Sequence, residues 1–345
     1  LSTSAPVVAV DAMGGDNAPG EIVAGAVAAA AEGISILLVG RRDDIGKALA
    51  EAGASEGPNL EVVEAPDVIA MDDHDPARAI RSKRGSSIGV ACRLVKEGRA
   101  DAIFSAGSTG AVLAGAVLET GRIRGVGRPA IGLILPFPDA PTVLVDAGAN
   151  ADVRPEHLVG FGLLGSVFAR IRLGIEQPRV GLLNVGEEPG KGSELVKAAF
   201  PLLEASGLNF IGNVEGRDVP TDAVDVVVTD GFTGNVVLKL LEGFGKFLFT
   251  QLLEIFSATQ EAKDAAKVVM PHLMGLATTM SPETHGGAHL LGVKGVCIIG
   301  HGSSSADAVT NGVRVASETV QAGLVDGIVQ AVAAERRVRG TPPEE

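Results

Sequence analysis

The sequence predicts a mainly parallel β-sheet covered by helices on both faces, and three observations predict it. Short apolar runs alternate with helical stretches along almost all of the 345 residues, the pattern of successive strand–helix–strand units. The runs end at glycine-rich turns that lead straight into helices. One such unit recurs: Asp225-Val-Val-Val-Thr-Asp-Gly-Phe-Thr-Gly-Asn-Val-Val-Leu-Lys239 and Asp101-Ala-Ile-Phe-Ser-Ala-Gly-Ser-Thr-Gly110 carry Asp, Gly, Thr and Gly at the same offsets. A strand that stops at glycines and becomes a helix leaves free N–H groups and a positive dipole end at the sheet's carboxyl edge. Open α/β folds bind anions there. Two copies in one sheet imply two walls of one site.

In order, Val7–Val10 reads as a strand ending at Asp11-Ala-Met-Gly-Gly-Asp16, followed by an alanine-rich helix over 20–32. Ile34–Val39 is the next strand, then a helix over 43–52 and a strand over 60–63. Ala65–Asp75 is acidic and loop-like, Pro76–Ser82 a basic helical turn, and Ser86–Gly98 a helix. Strand 101–104 leads through the first Thr-Gly turn into a small-residue helix to Gly121. Ile131–Leu135 and Val143–Val145 are strands, the second ending at Asp146-Ala-Gly-Ala-Asn150. Pro155–Ile171 is helical, with proline in the first turn where its missing N–H costs nothing. Strand Val180–Val185, helix 193–206, strand 208–211, the Asp225–Lys239 unit, strand 296–299 and a last helix over 306–321 complete the pattern. The tail Arg336–Glu345 reads as disordered. A chain of this length can form one large domain or two smaller ones; it is taken as one domain over 6–330, and several classes of function are excluded at once. The net charge is −13 and there is no Trp or Tyr, against phosphate-backbone binding and aromatic base stacking alike. Cys92 and Cys297 read as buried free thiols. No apolar run reaches the ~18–20 residues of a spanning helix, and no basic-then-apolar leader is recognisable. A cytoplasmic location is the expectation.

The alternation breaks between Leu240 and Ser281. A helix there is apolar nearly all round (Phe244, Phe247, Leu248, Phe249, Leu252, Leu253, Ile255, Phe256), followed by a charged helical run and the patch Val268-Val269-Met270-Pro-His-Leu273-Met274. Such a helix needs more partners than one sheet face offers. Residues 240–284 are therefore read as a helical arm against a second subunit. The patch at its turn is either a membrane-touching tip or an ordinary buried loop.

Among motifs, Gly160, Gly162 and Gly165 have dinucleotide spacing but lie within a helix-like run, where close helix packing accounts for them. His285 and His289 have metal-pair spacing, yet two glycines between them argue against a helix. His301-Gly302-Ser303 follows a strand, as a nucleophile or, better, an anion loop. Asp11, Asp16, Asp146 and Asp230 each sit at strand ends, where helix capping or turn formation competes with a site role. Their shared position at one sheet edge is the functional signal. Glu187-Glu188 with Lys191 is a solvated turn or a site, and a lysine beside helix N-termini suits a phosphate.

Taken together, Val8–Asp16, Ser105–Ala111, Asp146–Asn150, Asn184-Val-Gly186-Glu187-Glu188, Asp225–Lys239, Gly286–Gly292 and His301–Ser304 resemble the PlsX family of bacterial phosphate acyltransferases, in order over about residues 6–325. The resemblance implies an open, doubly wound α/β/α sandwich related to isocitrate and isopropylmalate dehydrogenases and to phosphate acetyltransferase. It further implies a homodimer joined through the helical arm, peripheral membrane contact, and no cofactor or metal. The activity implied is transfer of an acyl group from acyl carrier protein to inorganic phosphate for phospholipid synthesis, next to a downstream glycerol-3-phosphate acyltransferase. The family's catalytic lysine and asparagine fall on Lys191 and Asn235. Three departures stand out: His285 where Tyr is common, Lys83-Arg84-Gly85-Ser86-Ser87 where the family often has two lysines and an Asp, and an added-looking Pro189-Gly190 before Lys191.

On this reading phosphate is held at Ser108-Thr109-Gly110 and Thr233-Gly234, with Lys191 offsetting its charge and Asn235 donating to the thioester oxyanion. The other strand-end residues (Gly14, Gly15, Ser105, Gly107, Asn150, Asn184, Gly186, Glu187, His301, Gly302, Ser303) complete the substrate site. An acidic carrier protein needs a local basic surface on an acidic chain. Arg78, Arg81, Lys83 and Arg84 form the densest cluster, and Arg122, Arg124 and Arg128 the second; the alternative for either is solvated surface. The other classes left open are a non-catalytic acyl-thioester scaffold and a dehydrogenase of the same fold.

Overall fold

Eleven strands form one sheet in the order β3-β2-β1-β4-β11-β10-β5-β6-β9-β7-β8. The structure, a computed structural model, describes residues 5–137, 140–279 and 286–338. In chain order the elements are β1 (Val7–Asp11), α1 (Gly20–Ala31), β2 (Ser35–Gly40), α2 (Arg42–Glu51), β3 (Leu60–Glu64), α3 (Pro76–Ser82), α4 (Ser87–Lys96), β4 (Ala102–Ser105) and α5 (Thr109–Gly115), which continues through a wider turn to Thr120. There follow β5 (Ala130–Leu135), β6 (Thr142–Val145), α6 (Pro155–Leu173), β7 (Val180–Leu183), α7 (Glu194–Glu204), β8 (Phe210–Val214) and β9 (Val226–Val228). The chain closes with α8 (Gly231–Ser257), α9 (Gln260–Thr279), β10 (Ala288–Leu291), β11 (Val296–Ile299), α10 (Ala306–Gln321) and α11 (Leu324–Val338).

Valine-, isoleucine- and leucine-rich strands buried on both faces explain the near-continuous apolar runs. The aspartate that opens each copy of the repeated unit pins the next strand. Asp101 accepts the Val7 N–H at 2.9 Å, and Asp225 accepts the Arg179 N–H at 2.7 Å together with the Arg179 guanidinium. Burial alone would raise the Asp225 carboxyl; the Arg179 bonds overcome it and hold the group below its usual value.

The sheet is not parallel throughout, and this corrects the expectation of a single functional edge. β10 pairs antiparallel with both β11 and β5, and β5 pairs antiparallel with β6. Three reversals set β6, β9 and β7 opposite in direction to β1, β4 and β11. The turns at Asp146, Asn184 and Asp230 therefore leave one edge, and those at Asp11, Ser105 and His301 the other.

Other differences are local. α9 is one helix through Pro271, so the patch at 268–276 is helical rather than a turn. β10 occupies part of the expected glycine loop, and α11 takes Arg336–Val338 from the expected tail. Residues 280–284 of the arm, His285 and tail residues 339–345 lie outside the described residues. Gly160, Gly162 and Gly165 fall inside α6. A Cβ on Gly165 would lie 2.6 Å from Val226, and one on Gly162 3.0 Å from Leu208, the close packing expected of them; a Cβ on Gly160 would meet nothing within 4 Å, and there the expectation fails. Both cysteines are free and buried, and burial pushes the Cys297 thiol up to about 12. Much of α8 is left uncovered by the described residues: Leu240, Phe244, Phe247 and Ile255 are each more than half exposed.

Candidate active site

The turn after β6 is built around one carboxylate. Asp146 Oδ1 accepts the N–H groups of Ile131, Gly148 and Ala149 at 2.9–3.1 Å. Its Oδ2 accepts both the backbone and the side-chain nitrogen of Asn150 at 2.8 Å. Burial drives the Asp146 pKa up, against the pull of these donors. Asn150 also donates to the Pro129 carbonyl at 2.8 Å. Both residues shape the turn.

α8 docks on that turn. The Gly231 N–H reaches the Asn150 carbonyl at 2.8 Å, and any side chain at Gly234 would collide with the Asp146 carbonyl oxygen. The close approach brings Asn235 against Gly148, where a Cβ would lie 3.7 Å from Asn235 Oδ1. Asp230 caps the helix, accepting the Thr233 N–H at 2.9 Å and the Thr233 hydroxyl at 2.8 Å. This corrects the expected role of Thr233-Gly234 as anion donors: amide and hydroxyl of Thr233 are already taken by Asp230. The turn positions Asn235 instead.

At the other edge, Asp11 accepts the Ser105 hydroxyl at 2.7 Å and the Met13 N–H at 3.3 Å. Burial raises its pKa despite those bonds and one from Ser87. A Cβ on Gly14 would lie 2.6 Å from Asp11 Oδ2 and 2.8 Å from the Gly107 nitrogen, so Asp11, Gly14, Ser105 and Gly107 form a closed knot. Beside it, Gly15 takes a φ of 109°, the left-handed region that favours glycine. The Asp16 N–H donates to the Gly302 carbonyl at 2.7 Å. His301 Nδ1 is 2.8 Å from Ser303 Oγ. Ser108, by contrast, makes no capping bond with its side chain, and Thr109 opens α5.

A cavity of about 370 Å³ joins the two edges across one face of the sheet. Its floor is Ile131, Leu133 and Leu135 of β5; one wall is α8 with Asn235, Leu238, Lys239 and Glu242. Thr109 and His301 line it from the first edge, Ala147 and Gly148 from the second. Of the residues singled out in the sequence, Asn235, Thr109 and His301 thus meet in one groove. Lys191 does not line it. Its Nζ is 3.9 Å from Glu188 and its side chain is half exposed. Its loop is braced by Asn184 Nδ2 donating to the Lys191 carbonyl and by Asn213 donating to the Glu187 and Glu188 carbonyls; a Cβ on Gly186 would lie 3.4 Å from Lys191. β7 adjoins β9, so this loop leaves the same edge as α8.

Sequence reasoning missed the groove's β5 floor and the Lys239–Glu242 pair, whose nitrogen and oxygen are 2.7 Å apart. The signal was present: Leu238, Lys239 and Glu242 follow Asn235 at the three-, four- and seven-residue spacing of one helix face. The first basic cluster is dispersed. Lys83 donates to the Val68 carbonyl at 3.1 Å, the Arg84 carbonyl accepts from Arg93, and Arg81 lines a cavity between α5 and the turn after β6.

Residues 7–326 match the family model described as fatty acid synthesis protein. The chain belongs to that family. It is 49% identical over 323 residues to a phosphate acyltransferase of Desulfitobacterium hafniense (strain Y51), covering 93% of this chain and 96% of the relative. The family is one of phosphate acyltransferases, and this protein is an acyltransferase. Its fold is shared with a phosphotransacetylase from Streptococcus pyogenes, with a TM-score of 0.62 at 15% identity over 92% of this chain and 94% of that one. A 4-hydroxythreonine-4-phosphate dehydrogenase from Klebsiella pneumoniae gives a TM-score of 0.53 at 16% identity, over 91% and 98%. At such identities these two speak for the fold alone. Among the described residues, no helix is long and apolar enough to cross a membrane.

Proposed function

We propose that this acyltransferase moves a fatty acyl group from acyl carrier protein to inorganic phosphate, giving acyl phosphate and free carrier protein for phosphatidic acid synthesis. One observation carries the reading: an apolar groove, floored by β5 and walled by α8, is lined by both Asn235 and, at the start of α5, Thr109. The acyl chain lies along the groove with its thioester carbonyl at Asn235. Phosphate sits at the uncapped start of α5, where N–H groups and the helix dipole favour an anion. Lys191, on the loop beside α8, swings in to offset its charge.

A phosphate oxygen attacks the carbonyl carbon and a C–O bond forms. The carbonyl electron pair moves onto oxygen, where the Asn235 side-chain N–H holds it. Collapse of the tetrahedral species breaks the C–S bond, and the leaving thiolate takes a proton from water. Phosphate is already an anionic nucleophile at neutral pH, so no strong base is needed.

The exposed face of α8 (Phe244, Phe247, Leu240) is the dimer contact. Val268, Val269 and Met274 on α9, exposed at 72%, 39% and 50%, with half-buried Met270 and Leu273 beside them, touch the membrane. Purified protein incubated with phosphate and acyl carrier protein thioester, without nucleotide, tests the reaction through acyl phosphate release. Asn235→Ala and Lys191→Ala are each expected to be severely impaired. Wild-type rates in both remove those roles, and no acyl phosphate from the native protein removes the function.

A further inference from the structure

A second, larger cavity opens beside the apolar groove, and its charge is opposite to that of the chain as a whole. It holds about 1040 Å³ between α5 and the turn after β6. Arg81 of α3, Arg122 after α5, Arg128 before β5 and Arg154 before α6 all line it, against Asp75 and Asp152. The net charge is −13, so this gathering of arginines runs against the general surface. Arg122 donates to the Gly127 carbonyl and Arg128 to Asn150 Oδ1 at 3.5 Å; neither finds a carboxylate among the described residues. Arg154 is 4.0 Å from the exposed Glu156, and its Nη2 is 3.4 Å from His157 Nε2. His157 Nδ1 accepts the Arg154 N–H at 3.1 Å. Burial first, then Arg154 and Arg128, hold this imidazole below its usual pKa. Asp75 is engaged as the cap of α3, accepting the Arg78 N–H at 3.0 Å.

The two cavities share their seam. Thr109 lines the first and Gly110 the second; Gly148 lines the first and Ala149 the second. A linear ligand reaching Asn235 from the arginines would cross at these two turns. On the α5 side the path is apolar, through Leu113, Ala114 and Val117.

We infer that the arginine-lined cavity is the binding site for the phosphodiester-linked thiol arm of the acyl donor, with Arg122 and Arg128 as ligands of its phosphate. The inference rests on the acyl-transfer reading for its choice of ligand. Guanidinium groups match phosphate oxygens in pairs, and a concave slot suits a narrow amide-containing arm better than the convex surface of a folded carrier. Arg128 is set in place by Asn150, itself held by Asp146 and Pro129. The assignment separates Arg81, Arg122, Arg128 and Arg154 from Arg78, Lys83, Arg84 and Arg124, which do not line the cavity.

The test compares acyl-phosphopantetheine with acyl-pantetheine, which lacks the phosphate, in the native enzyme and in the Arg122→Ala/Arg128→Ala double variant. The ratio of kcat/KM for the two donors is expected to fall by roughly tenfold or more, the scale of one lost charge-assisted hydrogen bond. Calorimetry with unacylated phosphopantetheine adds a readout that needs no turnover: binding to the native protein, weakened to the same degree in the variant. A ratio at the native value, or equal binding to both proteins, overturns the assignment. A rise in KM for inorganic phosphate with the donor ratio unmoved also overturns it, giving the arginines to the acceptor. Native protein that binds phosphopantetheine yet forms no acyl phosphate would sink the proposed reaction while the cavity's assignment stands. Thermal melts of the variant establish that it is folded.

Discussion

Asn235 owes its position to two neighbours that lack side chains. Gly234 allows α8 onto the Asp146 carbonyl, and Gly148 leaves room for the asparagine amide. Replacing Asn235 by alanine removes the proposed oxyanion donor without touching this packing, and on that proposal kcat for acyl phosphate formation should drop by about 10²–10³. Thermal stability should stay near native. The motif around Asn235 was visible in the sequence; the reason it is held there was not, because the contact joins residues about ninety positions apart, a separation local patterns do not report. His289 makes a different point. It is buried against Phe168 with ring centroids 4.6 Å apart, and its Nε2 is 3.3 Å from Thr319 Oγ1. Burial first, then Arg172, lowers its pKa to about 3. Between the unfolded imidazole value of about 6.5 and that folded value, the unfolded chain binds a proton that the folded one refuses. Stability from neutral His289 is thus full above about pH 6.5 and declines as the pH falls. Midpoints of thermal unfolding measured across this range should show a steep acid limb, flattened by about one proton in His289→Gln; an unaltered limb would place the titration elsewhere.

At the scale of elements, α8 carries both ends of the functional argument. Its first turn is bound to the β6 turn and capped by Asp230; its later turns stand in solvent. The run of valines before it and the Asp-Gly-Phe-Thr-Gly entry made the strand, cap and helix start legible. The notion that its N-terminus offers free donors failed because a good cap satisfies the donors it names. Asp230→Ala should lower stability by about 1 kcal/mol through loss of the cap. Gly234→Ala should do more to activity than to secondary structure. The added methyl must push the helix off the Asp146 carbonyl and carry Asn235 away from Gly148. Turnover in this variant is expected to fall toward that of Asn235→Ala while circular dichroism remains native, a misplacement effect of the kind that costs about 10²-fold per ångström. Native turnover would show that the turn can yield without moving the amide.

For the molecule as a whole, the alternation of strands and helices gave the layered architecture, and what escaped was direction. β10 is four residues long and was hidden in a glycine motif; inserting it and β5 antiparallel is what turns half of the sheet around. A short strand carries little pattern of its own, and its pairing is decided by partners distant in the chain. The consequence is functional, since the groove then runs across a sheet face from one edge to the other instead of lying along a single edge. The helical character of α8 was legible for the opposite reason, a long run of apolar residues. Phe244 and Phe247 are each 58% exposed, with ring centroids 6.4 Å apart. Covering the exposed part of two such side chains in a second copy contributes about 1–2 kcal/mol apiece, together a factor on the order of 10–10³ in the dissociation constant. Phe244→Glu with Phe247→Glu withdraws that contribution and sets like charges against each other across a twofold contact. Light scattering should report a dimer for the native chain and a monomer for the double variant at the same concentration. Because both side chains face solvent within one chain, the fold should survive the change. A variant that keeps the dimeric mass would free this face of α8 from the proposed subunit contact.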